Sequence, residues 1–402
     1  MKSTCLPFVA AMWLAVAVTA HADLASIIAE VESNSPAQPG AIPRRASIIF
    51  IQCHGLGYGD LSCDGQTNYQ TPNLDRLAAE GIRFTNYRAG STDFTAAQAV
   101  LMAGKNSTDA TPGPGAPTIA QRLQQAGYRT GLLGEWALGP TPWTQGFDEF
   151  AGFVQADEGR NYFADYLWRY APDSILNVTN NQTEAFVGKE MIYPNTGGKN
   201  GEYLPEMFTK MMVNFIHTHQ PDRFNHYQPF FLLVDLPAPR SASATADDFP
   251  VPTDAPFSDA PWPPAAKNRA ALITRLDTGI GRLFEELQKM QLTNNVAIFF
   301  TSASGAEKFV KPQLKALWPA DDIAAGSPRV PMLVRWPGNI PAGRVSRQAW
   351  SAVDFAPTAL QIGFAKPAAD FTGISVLPVL FGQAGTTTNV APDRLDRPIH
   401  GF

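Results

Sequence analysis

The sequence predicts an α/β fold: a doubly wound, mostly parallel sheet with helices on both faces. Three observations carry this. Ala46 to Cys53 (ASIIFIQC) is a continuous apolar, β-branched run, and Phe230 to Asp235 and Val296 to Ser302 are runs of the same kind. Strands without polar alternation are buried on both faces, as in parallel sheets. Helical segments separate them, most clearly Lys267 to Met290, with Leu272, Leu276, Ile280, Leu283 and Leu287 on one stripe. Strands alternating with helices imply crossover units and helices on both faces.

The elements follow in order. Residues 1–22 read as a signal peptide. Lys2 gives a positive start, Leu6 to Ala20 is apolar, and Ala20-His21-Ala22 offers a small-x-small cleavage pattern. The apolar stretch is short for a membrane span, so export with cleavage near Ala22, to periplasm or exterior, is expected, with no transmembrane anchor. Residues 23–45 form a Ser-Pro-Gly-rich lead-in, and 46–402 the α/β domain. Asn73 to Glu80 is a helix stopped by Gly81, Ile82 to Tyr87 a strand, and Thr95 to Met102 an Ala-rich helix. Thr118 to Ala126 is a helix and Tyr128 to Leu133 a strand. Leu204 to His217 is a helix, 237–264 a Pro-rich loop, Val330 to Arg335 a strand, and Phe355 to Ile362 a helix. Ligands of such sheets sit at the carboxyl ends of the strands. The loops after Cys53, Tyr87, Leu133, Asp235 and Ser302 are therefore where chemistry is expected.

Composition narrows the function classes. Hydrophobic residues are 45% of the chain, which excludes a disordered protein. Lys+Arg (31) nearly cancel Asp+Glu (36) and no basic run occurs, so no nucleic-acid partner is expected. Of three cysteines, Cys5 lies in the signal segment. A Cys53–Cys63 disulfide suits an exported protein but is not implied by the spacing; two buried thiols are the preferred reading.

Several blocks in order carry a family resemblance. Gly55-Leu56-Gly57-Tyr58-Gly59-Asp60 precedes Thr71-Pro72-Asn73-Leu74-Asp75-Arg76-Leu77-Ala78, then Ile82-Arg83-Phe84-Thr85-Asn86 and Ala89-Gly90-Ser91. Gly134-Glu135-Trp136-Ala137-Leu138-Gly139, Phe300-Thr301-Ser302-Ala303-Ser304-Gly305 and Arg329-Val330-Pro331 through Gly338 follow. From about Ala46 onward the chain resembles the sulfatases, a branch of the alkaline-phosphatase superfamily.

The resemblance implies a formylglycine nucleophile made from Cys or Ser in C/S-x-P-S-R. It also implies a calcium ion held by Asp and Asn oxygens, and Lys, Arg and His side chains that neutralise sulfate. At the equivalent positions this chain differs. His54 and Gly55 stand for paired metal aspartates. Phe94 stands for the nucleophile, Ala96 for the Pro and Gln98 for the Arg. Glu135 and Ala137 stand for Lys and His of GKWHLG. Pro237 and Arg240 stand for two histidines, and Ala303 and Ser304 for the Asp-Asn metal pair. Ala320 falls near a further Lys position. A hard cation's affinity follows its carboxylate count, so the calcium site is expected to be lost and no cofactor is expected. The smaller C-terminal subdomain usual in the family is expected to be lacking, which would leave an uncovered sheet edge or a partner surface.

The expectation is an exported pseudosulfatase in a binding or accessory role, whose ligand or protein partner the sequence leaves unnamed. The alternative is an active sulfuric ester or phosphodiester hydrolase with a non-standard nucleophile such as Thr95, otherwise read as the N-cap of its helix. Cys53 and His54, adjacent at a strand end, point to opposite faces. We therefore read Cys53 as packed inside and His54 as lining the pocket. Asp60 is read as capping its turn, and Asp93 as a partner of the nucleophile-turn backbone. His217, His219 and His226 are read as a solvated surface rather than a metal cluster.

Overall fold

The run at the start of the domain becomes β1 (Ser47–Cys53), buried at every residue. Its side chains alternate between two apolar cores. Ile49, Ile51 and Cys53 face one, and Ile48 and Phe50 the other. The computed structural model describes residues 45–106, 117–155, 158–177, 182–220, 228–243, 246–305, 329–365 and 369–383, with the side chains of 173–184 excepted. The signal peptide, most of the lead-in, Ala320 and His226 lie outside the described residues. The unit that begins at Arg45 is compact.

Five parallel strands form the centre of the main sheet, in the order β9 (Val296–Ser302), β1, β8 (Phe230–Leu236), β4 (Arg129–Glu135) and β5 (Glu149–Phe153). Beyond β9, β10 (Met332–Arg335) runs antiparallel, followed by β2 (Ile82–Phe84) and β11 (Arg344–Ser346). Beyond β5 lies the antiparallel hairpin β6 (Tyr166–Asn177) and β7 (Gln182–Met191).

Helices cover both faces, as predicted. One core packs under α1 (Pro72–Ala79), α4 (Leu204–Thr218) and α5 (Pro264–Lys289) through Leu74, Phe208, Met212 and Leu276. The other packs under α2 (Phe94–Ala103), α3 (Ile119–Gln125) and α6 (Phe355–Ile362) through Val100, Leu123 and Phe355.

The structure corrects several boundaries. The stretch Ile82 to Tyr87 is two strands, not one. After β2, Thr85 N–H donates to Ser346, and β3 (Tyr87–Arg88) then leaves to pair with β12 (Trp350–Ser351) in a separate two-stranded sheet. The Tyr87 and Trp350 rings sit 4.8 Å apart and anchor that departure. β10 starts at Met332 because Pro331 has no N–H for the ladder. β5 and the β6–β7 hairpin were not predicted. β6 contains Pro172, which argues against a strand, and its register shifts between Ala171 and Ile175.

Candidate functional site

The central strands end side by side, so the residues that follow them converge. β1 delivers His54, β4 ends on Glu135, β8 carries Asp235, and β9 delivers Ala303 and Ser304. Gly134 (φ +117) permits the close approach of β4 to β8, because a Cβ there would collide with the Asp235 carbonyl oxygen. Gly55 (φ +79) turns the chain out of β1, and its missing Cβ leaves room for the Arg240 backbone.

His54 is 1% exposed, correcting the expectation that it lines a pocket. Its Nε2 lies 2.6 Å from Asp235 Oδ1. Its Nδ1 is 3.3 Å from Glu135 Oε2, an ion-pair contact without hydrogen-bond alignment. The ring of Phe94 tilts over the imidazole with centroids 3.9 Å apart. Burial opposes charge on His54, but Asp235 and Glu135 outweigh it and the pKa is raised from its ordinary 6.5.

The two carboxylates are fully engaged. Arg240 Nη2 donates to both oxygens of Glu135, at 2.8 and 3.1 Å. Burial alone would raise the Glu135 carboxyl, but the close His54 ring and the hydrogen-bonded Arg240 guanidinium hold it down to about 2. Burial pushes the Asp235 carboxyl up, against the opposing pull of His54 and Gln98. Gln98 Nε2 donates to Asp235 Oδ2 at 2.8 Å and to the Glu135 carbonyl at 2.9 Å. Its Oε1 accepts from Ala137 N–H at 2.9 Å. Gln52 reaches Asp235 Oδ2 at 3.3 Å. The result is a buried cluster of two basic and two acidic side chains, satisfied largely from within.

The remaining predicted positions surround it. Gly55 N–H donates to Ser304 Oγ at 3.2 Å, and Ala303 N–H to the Cys53 carbonyl at 2.8 Å. Thr95 is not the N-cap of α2. Asp93 is, because its extended backbone lets its carboxylate accept from Ala96 N–H at 2.8 Å. Among the described residues no hydrogen-bond partner reaches the Thr95 hydroxyl. Cys53 and Cys63 are free, and burial pushes both thiols up. His217 is exposed beside Glu286, as the surface reading had it, while His219 is only partly exposed, packed against Phe215 and Glu149.

Two site residues had gone unnoticed in the sequence. Asp235 is the only charge in the run FFLLVDL, and a lone acid at the end of a buried strand is itself a signal of a partner. Arg269, buried on α5, forks onto Asp60 at 2.8 and 2.7 Å and reaches the Gly55 carbonyl at 3.0 Å. Asp60 also accepts from Gly57 N–H at 2.6 Å, as the capping expectation had it.

Residues 46–363 match the Sulfatase family. The chain belongs to the sulfatase family. It is 27% identical to N-acetylgalactosamine-6-sulfatase of Canis lupus familiaris, over 89% of this chain and 68% of that one. It is 27% identical to human arylsulfatase A, over 85% of this chain and 69% of the relative. Among solved structures it is similar to Ps i-CgsB in complex with k-i-k-neocarrahexaose. The TM-score is 0.64 and the identity 25%, over 84% of this chain and 77% of that one. This sulfatase-family chain thus shares the scaffold of its relatives. No helix among the described residues is long and apolar enough to cross a membrane.

Proposed function

We propose that this chain is an exported sulfatase-fold protein that does not hydrolyse sulfate esters and serves a binding or accessory role. The observation that carries the reading is Phe94. It stands in the position where the family resemblance implies the nucleophile, and its ring lies on His54 at 3.9 Å. A phenyl ring offers neither an attacking atom nor a route to formylglycine. The electrostatics point the same way. Sulfate transfer needs positive groups aimed at the developing charge. Here Arg240 and His54 are spent on Glu135 and Asp235, and Glu135 keeps its negative charge at any ordinary pH. Among the described residues no base reaches the Thr95 hydroxyl, which weighs against a hydroxyl nucleophile. Export is supported by Lys2, the apolar stretch and Ala20-His21-Ala22.

The test is turnover of aryl sulfates and phosphodiesters by the purified chain with calcium, magnesium, manganese or zinc added. No turnover above buffer is expected. Metal-dependent turnover abolished by a substitution at Glu135 or Asp235 would overturn the reading.

A further inference from the structure

The sulfatase fold implies a calcium ion at the carboxyl ends of these strands, and the side chains present do not fit one. Of the four positions that the resemblance assigns to metal ligands, Gly55 and Ala303 carry no donor side chain. Ser304 Oγ accepts the Gly55 N–H, and His54 Nε2 is bound to Asp235. The nearby carboxylate oxygens are each already engaged by a side-chain donor. Asp235 Oδ1 takes His54 and Oδ2 takes Gln98, while both Glu135 oxygens take Arg240. A hard cation wants six to eight oxygens. Among the described residues no group of three or more His, Cys, Asp or Glu side chains is arranged to hold a metal.

We propose that His54 is the resident cation of this site, and that its imidazolium, clamped between Asp235 and Glu135, balances the buried charge in place of a divalent ion. This goes beyond the absence of hydrolysis, because a chain without a nucleophile can still hold a metal. His54 follows directly on β1, where the resemblance implies a metal-binding aspartate, so an anion has been exchanged for a cation at that point. The charge tally then closes. His54 and Arg240 face Asp235 and Glu135, whereas without the imidazolium two buried carboxylates would share one guanidinium. Phe94 covers the imidazolium face, a favourable placement for a cation that no water reaches. Gln98 completes the exchange, since its neutral amide satisfies Asp235 without adding a third positive charge. His54 is thus a positioning residue that fixes the ends of β1, β4 and β8 against one another, and the site assembles without a metal.

Three measurements on the full chain test this. Elemental analysis with melting in EDTA or calcium is expected to find no stoichiometric divalent ion and an unchanged Tm. Long-range nitrogen–proton spectra of the histidine rings are expected to show both His54 nitrogens protonated at neutral pH. His54→Gln, which keeps a donor amide but no charge, is expected to lower the Tm by about 5 °C. A stoichiometric ion, an EDTA-sensitive Tm, a neutral His54 ring or an undiminished Tm in His54→Gln would each overturn the proposal. None of these readouts depends on whether any ester is hydrolysed.

Discussion

Arg240 Nη2 straddles the Glu135 carboxylate from a loop beyond β8, while Glu135 itself ends β4, so one guanidinium ties two strand ends together. Removing one partner of a buried pair leaves the other charge uncompensated. Arg240→Met is therefore expected to cost about 3–5 kcal/mol of stability in urea unfolding. Adding Glu135→Gln to it should recover much of that loss, because the stranded charge is then gone. A double variant as unstable as the single one would show that the two side chains are not coupled.

The pH dependence follows from the same cluster. The His54 pKa is raised above 6.5, so its contribution is fully present below pH 6.5 and is lost as pH rises through the folded value. Asp235, raised by burial, has the same sign from its ordinary 3.8 upward. Glu135 runs the other way, its share being present above 4.5 and lost as pH falls toward 2. Melting temperature is thus expected to decline on the alkaline side of pH 6.5, and His54→Gln to flatten that decline. A wild-type profile level above pH 6.5 would contradict this assignment.

The scaffold was legible in the sequence because burial on both faces leaves a simple mark. Ser47–Cys53, Phe230–Leu236 and Val296–Ser302 are apolar through their middles, with polar residues toward their ends, and sit where expected. The hairpin was not legible, since Pro172 breaks the pattern that a ladder would leave. At the site, single positions gave the identities of His54, Glu135, Gln98 and Arg240 but not their pairing. His54 and Asp235 are separated by 181 residues, and only the parallel pairing of β1 with β8 brings them to 2.6 Å. Arg269 was hidden for a related reason. It falls on the buried side of an amphipathic helix, where a charge looks like an interruption until its acid on another element is seen.

Arg269 yields a third prediction. Its fork holds Asp60 by both oxygens and also holds the Gly55 carbonyl, so it braces the turn that leads out of β1. Arg269→Met is expected to cost about 3–5 kcal/mol, because Asp60 is buried with it. Arg269→Lys should be only partly tolerated, since an ammonium replaces the planar fork by a point charge. Urea unfolding of the two variants checks the order. An Arg269→Lys variant as stable as the wild-type protein would deny the fork its role.

The helix cap separates two neighbouring hydroxyl and carboxyl side chains. Asp93 accepts from Ala96 N–H, and Thr95 lies inside the first turn. Asp93→Ala is expected to cost about 1 kcal/mol, and Thr95→Ala distinctly less. The reverse order in thermal unfolding would return the cap to Thr95.

Restoring a nucleophile alone is expected not to restore hydrolysis. In Phe94→Cys the thiol would stand at the head of α2, over His54, where the ring stands now. Ala96 and Gln98 still replace the Pro and Arg of the motif through which the family makes formylglycine, so the thiol would stay a thiol. A sulfate approaching it would meet Glu135, ionised down to about pH 2, and two cations already committed to carboxylates. Oxyanion stabilisation of this kind is worth ~10²–10³ in rate per donor, and several donors are missing at once. Aryl-sulfate turnover by Phe94→Cys with calcium added should therefore stay at the level of buffer, while loss of the ring from the imidazolium should lower stability by about 1 kcal/mol. Calcium-dependent turnover by this single variant would mean that the charged cluster opens to admit sulfate, and the closed, self-paired site would have to be abandoned.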